Sequence, residues 1–301
     1  MNILIYGFGR MGLTHYSILN SLLTKPNITF VEPNNKLRSL LKGNVNCNIK
    51  PDDNDIKNSF DLTLITSPPH VHTELLMRAI NRGDKKIFVE KPFGGHSNSE
   101  HDFRSDNIYI GYVLRHNPIV QWIKKNVDLD SIVKVEAQFL SNTLQTKPKG
   151  WRNGNFSGVL NEVGSHIIDL TNYLFDISNF SLIESNSKSI ISDTDDIVKA
   201  KIQSKNRNFN FYFNWVDKKI RKPFFSFILT KNDGTSIYFD QQKVEFDGKK
   251  ITSVVDLAES VPFYLRGIDF TKQMIDLTQE CNTLCNLKDA TLVNKIMKAI
   301  K

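Results

Sequence analysis

Three sets of residues in this 301-residue chain combine type and spacing in ways that could do chemistry. The first is Glu162, His166 and Asp169, which the i+4 and i+3 spacings of a helix bring onto one face. Leu160, Val163, Ile167, Ile168, Leu170 and Leu174 surround them, and charge in so apolar a helix is costly unless it is paired or lines a cavity. The second is Glu90-Lys91-Pro92, directly after the apolar run Ile87-Phe88-Val89. The third is Gly7-Phe8-Gly9-Arg10-Met11-Gly12, followed by an acid at Glu32. An imidazole or a partly desolvated lysine can hold or move the proton of a hydroxyl. A glycine loop can bring backbone N–H groups against a phosphate.

Each set needs elements to place it. Ile3–Tyr6 reads as a buried parallel strand that delivers the glycine loop. A helix pattern follows with Leu13, Tyr16, Ile18, Leu19 and Leu22, and Lys25-Pro26-Asn27 ends it. Ile28–Val31 reads as a second strand, with Glu32 at its carboxyl end. In this context Gly7 permits the turn, Gly9 lets a pyrophosphate approach the backbone, and Gly12 lets helix and strand pack closely. Glu32 can accept from ribose hydroxyls and repels a 2′-phosphate, so the reading is NAD in preference to NADP, with Lys36 and Arg38 nearby weakening the preference. The rhythm continues with a strand at 60–66, a turn at Ser67-Pro68-Pro69-His70, a helix from Val71 to Arg82 that Gly83 stops, and strands at 86–89 and 107–112. The expected architecture is α/β: an N-terminal Rossmann fold over 1–118, then a C-terminal α+β domain over 119–301 with an open, mainly antiparallel sheet.

Thr66, Ser67, Pro68, Glu90 and Lys91 fall at strand ends, where ligands of such sheets bind. With these residues the chain resembles the Gfo/Idh/MocA oxidoreductases. The resemblance rests on Gly7–Gly12, Thr66–His72, Glu90-Lys91-Pro92, Gly111-Tyr112 with Arg115 and Pro118, Trp151-Arg152, and Gly158–Asp169, in order along the chain. It implies that Lys91 works as proton donor or acceptor and that the loop at His72 contacts nicotinamide. The site helix departs from the family pattern: Glu162 stands where Asp is common, after a single glycine, Gly158. In the functional reading His166 bonds the reacting or adjacent hydroxyl, Glu162 a neighbouring one, and Asp169 orients His166. The alternative is a buried polar network with a structural job.

After Pro118 strands predominate, at 132–140, 197–203, 208–215, 224–230, 235–239 and 243–246. Phe209, Phe211, Phe213 and Trp215 alternate with Asn208, Asn210, Tyr212 and Asn214, the period of a strand with one apolar face. The open face of such a sheet is expected to build a homodimer or homotetramer, as in the resembled family. Two stretches are candidates for substrate contact, Lys147–Arg152 and Phe263–Gly267, with Arg115, Trp151, Arg152 and Tyr264 as the side chains to watch. The end reads as helix from Tyr264 to about Cys285 and from Asp289 to Ile300.

Composition sets limits. With 39 basic and 32 acidic residues the net charge is +7, but the cations are scattered and no nucleic-acid motif is present. The densest group, Lys218, Lys219, Arg221 and Lys222, reads as a solvated turn. Cys47, Cys281 and Cys285 are too few for a disulfide framework, and the last two are expected on one helix face. His70-x-His72 without a thiol or carboxylate set is weak evidence for a metal, and none is expected. His15, His96, His101 and His116 read as surface or capping residues. No apolar run is long enough for a membrane span, and the first residues read as a strand rather than a signal peptide, so a cytoplasmic location is expected. The expectation is an NAD(P)-dependent oxidoreductase acting on a CH–OH group of a sugar, preferably nucleotide-linked. A cyclic polyol, a non-sugar substrate and a non-catalytic NAD-binding regulator are the alternatives.

Overall fold

The computed structural model describes residues 1–43, 45, 47–93, 106–149, 157–257 and 267–301. Its elements begin with β1 (Asn2–Tyr6), α1 (Arg10–Leu22), β2 (Asn27–Val31), α2 (Asn35–Leu41), β3 (Asn48–Lys50), β4 (Leu62–Ile65), α3 (His72–Arg82), β5 (Ile87–Val89) and β6 (Ile108–Ile110). They continue with α4 (Pro118–Asn126), β7 (Ile132–Leu140), a π-helical turn (Leu160–Gly164), α5 (Ser165–Phe175), β8 (Phe180–Lys188), β9 (Ile197–Ser204) and β10 (Arg207–Asn214). The last are β11 (Phe224–Lys231), β12 (Ser236–Asp240), β13 (Lys243–Phe246), β14 (Lys249–Ser253), α6 (Ile268–Thr278), β15 (Cys285–Asn286) and α7 (Leu287–Ile300).

The chain divides into two compact units. The first is Met1–Tyr112 with Val261–Ala290. Its sheet has the order β15-β6-β5-β4-β1-β2-β3, parallel except for the short β15. Without β15 this is the 3-2-1-4-5-6 order of dinucleotide-binding folds, which reverses direction between β1 and β4. Near-continuous apolar strands suit a sheet covered on both faces: Ile3, Leu4 and Ile5 of β1 and Leu62, Leu64 and Ile65 of β4 are all fully buried. Pairing brings Tyr6 level with Ile65, Ile65 with Val89, and Val89 with Ile110. The next residues, Gly7, Thr66, Glu90 and Gly111, therefore form one row at the carboxyl ends.

The second unit is Val113–Ser260 with Thr291–Lys301. Its sheet runs β14-β13-β12-β11-β7-β10-β9-β8, antiparallel except where β10 lies parallel to β7. Phe209, Phe211, Phe213 and Trp215 are buried as the alternation predicts. Asn214 is buried as well, where it donates to the Tyr212 hydroxyl and accepts from the N–H of Val216.

Three expectations change. The division falls after Tyr112, and the first unit takes back a late segment, because α6 packs on α1 and β15 pairs with β6. The late helix stops at Thr278, where Asp276 turns the chain by accepting from the N–H groups of Asn282 and Thr283. Cys281, at φ 61°, and Cys285, in β15, therefore share no helix face. No helix among the described residues is long and apolar enough to cross a membrane.

Candidate active site

In the first unit the glycine loop is shaped by close approach. Gly7 has φ 87°, and a Cβ on Gly12 would lie 2.1 Å from the Gly7 carbonyl oxygen. A Cβ on Gly9 would meet nothing within 4 Å, so the loop is open on that side. Gly9 is the N-cap of α1, and a helix N-terminus favours an anion beside it. Thr66 Oγ1 lies 2.9 Å from the carbonyl oxygens of both Tyr6 and Gly7, which ties β4 to the loop across the reversal point. Arg10 is exposed at the start of α1 and Met11 is half-buried. The Phe8 side chain is buried edge-on against Phe30, with ring centroids 4.5 Å apart.

Glu32 is also largely occupied within the protein. Its two oxygens accept from the N–H groups of Phe8 at 2.8 Å and Asn34 at 2.9 Å. Each carboxylate oxygen keeps a further lone pair for a ribose hydroxyl. Arg38 donates to the backbone carbonyls of Glu32 and Pro33, at 2.8 and 2.7 Å.

At the next strand end, His72 is buried with Nε2 2.8 Å from the Ser67 carbonyl and Nδ1 3.2 Å from that of Pro92. Burial pushes its pKa below the ordinary value, against the opposing pull of those carbonyls and the Glu90 charge. His72 so joins the Ser67-Pro68 turn to the Lys91-Pro92 peptide, which is cis. Pro68 is exposed, Lys91 is half-exposed, and Glu90 is buried with His15 as a partner. Ser67 Oγ is buried and finds no hydrogen-bond partner among the described residues.

In the second unit the site helix begins as a π-turn and becomes α-helical at Ser165. Glu162 lies in the π-turn and His166 in α5, both half-exposed, while Asp169 is buried. A π-turn inserted at this point re-aims side chains, a feature frequent at functional sites. The structure gives Asp169 a buried cationic partner: Arg115 Nε lies 2.9 Å from Oδ2 and Nη2 2.6 Å from Oδ1. The guanidinium also stacks over Tyr173, 4.9 Å from the ring centre. Asp169 was expected to orient His166 and Arg115 to meet substrate. Their mutual pairing, with Arg115 only 2% exposed, is a geometry that local spacing does not reveal. The helix start is capped from far along the chain, since Asp195 Oδ2 accepts from the Leu160 N–H at 2.7 Å. Burial raises the Asp195 carboxyl, partly countered by that N–H. Next to it burial also pushes Asp196 up, but the Ser192 hydroxyl and the N–H groups of Ile191, Ile190 and Ser192 outweigh it and hold its carboxyl below the ordinary range. Lys147 pairs with Asp193 at 2.6 Å, both exposed. Trp151, Arg152 and Tyr264, and with them His96 and His101, lie outside the described residues.

Two residues read as surface or capping groups do not lie at the surface. His15 is fully buried and His116 is 4% exposed. No short-range pattern announces His15, because its partner Glu90 is 75 residues away.

Residues 1–99 match the oxidoreductase family with an NAD-binding Rossmann fold, Gfo/Idh/MocA. The N-terminal domain belongs to that family. It is an NAD-binding Rossmann domain, as its strand order and glycine loop indicate. No curated protein sequence matches the chain. In structure the chain is similar to a levoglucosan dehydrogenase in complex with NADH and levoglucosan, with TM-score 0.81 and 18% identity over 100% of this chain and 96% of that one. It is similar to a myo-inositol dehydrogenase from Corynebacterium glutamicum, with TM-score 0.77 and 13% identity over 100% and 95% of the two chains. A UDP-N-acetylglucosamine 3-dehydrogenase from Acidithiobacillus ferrooxidans gives TM-score 0.77 and 17% identity over 100% and 96%. At these identities the likeness is one of fold.

The NAD-binding domain fits its cofactor on two observations of its own. The open side of Gly9 leaves room for a group to approach the backbone, and the buried Ser67 hydroxyl has a hydrogen bond to give. Gly7–Gly12, Glu32, Thr66, Ser67 and the Glu90-Lys91-Pro92 turn are the residues that would hold it.

Proposed function

We propose that the chain is an NAD-dependent dehydrogenase that interconverts a carbinol and a carbonyl on a sugar or polyol. The observation that carries this is the level row at the carboxyl ends, Gly7, Thr66 and Glu90, on both sides of the reversal between β1 and β4. Half-exposed Lys91 follows directly on that row. When bound, NAD supplies the hydride acceptor or, as NADH, the donor. Lys91 takes the hydroxyl proton on oxidation and returns it on reduction. His166 holds the reacting or adjacent hydroxyl, and Glu162 accepts from a neighbour. Asp169 and Arg115, buried and paired, keep the helix that bears these two side chains in place.

The preferred substrate within this class is a nucleotide-linked sugar. The structurally similar UDP-N-acetylglucosamine dehydrogenase supports that choice, as do the exposed cations Lys147 and Lys149. The Lys147–Asp193 pair is exposed and therefore weak enough to open for a phosphate. The expected homodimer or homotetramer through the second sheet belongs to the same proposal. That face presents Glu136, Gln138, Lys199, Lys201, Asn210 and Tyr212 around a groove of about 660 Å³. Sedimentation of the purified chain tests it.

The activity test follows the reduced-nicotinamide absorbance band with NAD and three substrates: levoglucosan, myo-inositol and UDP-N-acetylglucosamine. Turnover of one of them, lost in Lys91→Met, is the expected result. Tight NADH binding without turnover of any sugar or polyol would favour the regulator reading. Failure to bind NADH would overturn the proposal.

A further inference from the structure

Behind Glu90-Lys91-Pro92 lies a histidine that no motif selects. His15, in the second turn of α1, is fully buried, and its Nε2 lies 2.7 Å from Glu90 Oε1. A carboxylate only accepts, so Nε2 carries the hydrogen and donates it. Nδ1 finds no partner among the described residues. Phe88 meets the ring edge-on with centroids 5.3 Å apart, and Phe270 of α6 lies at 6.3 Å. Glu90 is confined as well: a Cβ on Gly111 would come within 3.0 Å of its Oε2. Packing alone does not explain the imidazole. Between Phe88 and Phe270 an apolar ring would fill the space and leave no buried nitrogen unsatisfied. What the imidazole adds is one donor, and that donor points at Glu90.

Glu90 and Pro92 flank Lys91, and both are tied to the interior of the first unit. The Glu90 N–H donates to the Ile65 carbonyl at 2.9 Å, and its carboxylate takes the His15 donor. The Pro92 carbonyl lies 3.2 Å from Nδ1 of His72 at the start of α3. A group that moves a proton must be held to within a fraction of an ångström by neighbours that are themselves locked. We propose that His15 is a positioning residue, which through Glu90 fixes the backbone from which the Lys91 amino group is presented. This rests on the reading of Lys91 as the proton-transfer group.

The test compares wild type with His15→Phe, which keeps a ring and removes the donor, and His15→Gln, which keeps a donor. Trace acetylation with acetic anhydride, read by mass spectrometry, gives the reactivity of Lys91 relative to the other lysines of the same sample. NADH affinity is measured alongside by fluorescence. In His15→Phe the relative reactivity of Lys91 is expected to change by about threefold or more while the other lysines hold. NADH affinity is expected to stay within about twofold. His15→Gln is expected to return Lys91 towards wild type. With a responding sugar, kcat is expected to fall by up to about a hundredfold in His15→Phe, with KM little changed. Unchanged Lys91 reactivity in a folded His15→Phe overturns the proposal. Should that variant fail to fold, His15→Asn, whose donor falls short of Glu90, replaces it under the same criterion. The labelling needs no substrate, so it decides the role of His15 even where turnover fails and with it the assignment of the reaction.

Discussion

In the first unit, the strand-end row is shaped by missing side chains and by hydrogen bonds from neutral groups. Glu32 is held by two backbone N–H groups, the Gly7 and Tyr6 carbonyls by Thr66, and the Pro92 and Ser67 carbonyls face His72. In the second unit, the helix carrying Glu162 and His166 is held by full charges out of water. Arg115 and Asp169 face each other at 2% and 1% exposure, and Asp195 caps the helix start. A contact between neutral groups, such as Thr66 with the Tyr6 and Gly7 carbonyls, can be lost without stranding a charge, whereas a buried ion pair cannot lose one member cheaply. Both regions are held, the row chiefly by hydrogen bonds from uncharged donors and the helix by an ion pair.

The sharpest way to break this contrast is at Arg115. Arg115→Met leaves the Asp169 carboxylate buried opposite a thioether, and urea denaturation should show a loss of about 3–5 kcal/mol. Adding Asp169→Leu should recover most of it, because the stranded charge is then gone. A single variant as stable as wild type would show that the pair is not a buried charge pair in the working protein.

The glycine loop gives the next largest effect and separates shape from function. Gly12→Ala drives a methyl against the Gly7 carbonyl and should cost about 1–3 kcal/mol in the same assay. Gly9→Ala has open space before it, so its stability should match wild type while NADH affinity falls. Intact NADH binding in Gly9→Ala would mean that the open side of the loop is not where the cofactor approaches.

The smallest effect is in pH. Burial lowers the His72 pKa below its ordinary 6.5, so the unfolded chain takes up this proton more readily than the folded one. The stabilising contribution is whole above pH 6.5 and shrinks as pH falls below it. The fall in Tm between about pH 7.5 and about pH 5.5 should be smaller in His72→Gln than in wild type. Equal falls would show that His72 is not held neutral.

What the sequence made legible was whatever depends on local pattern. The Ile3–Tyr6 strand, the glycines and the Glu90-Lys91-Pro92 turn were placed because apolar runs and glycine spacing mark them out. The strand Phe180–Lys188 was missed because it is an edge strand, polar and exposed along most of its length. The Arg115–Asp169 and His15–Glu90 pairs were missed because residues 54 and 75 positions apart leave no periodic trace. For the triplet Glu162, His166 and Asp169, an α-helical period was assumed, and the π-turn at Leu160–Gly164 breaks that period at its first member.

The return of α6 and β15 to the first unit bears on how the protein is made. Lys86 at the edge of β5 donates to the carbonyls of Leu277 and Gln279, and the face of α1 that bears Tyr16 and Leu19 shares a core with Met274 and Leu277. A ribosome releases α6 only after the whole second sheet has emerged. The cofactor domain must therefore wait, its α1 flank uncovered, for nearly the full length of translation. An N-terminal fragment cut near residue 118 would carry every glycine of the loop and still lack the segment that closes its own core.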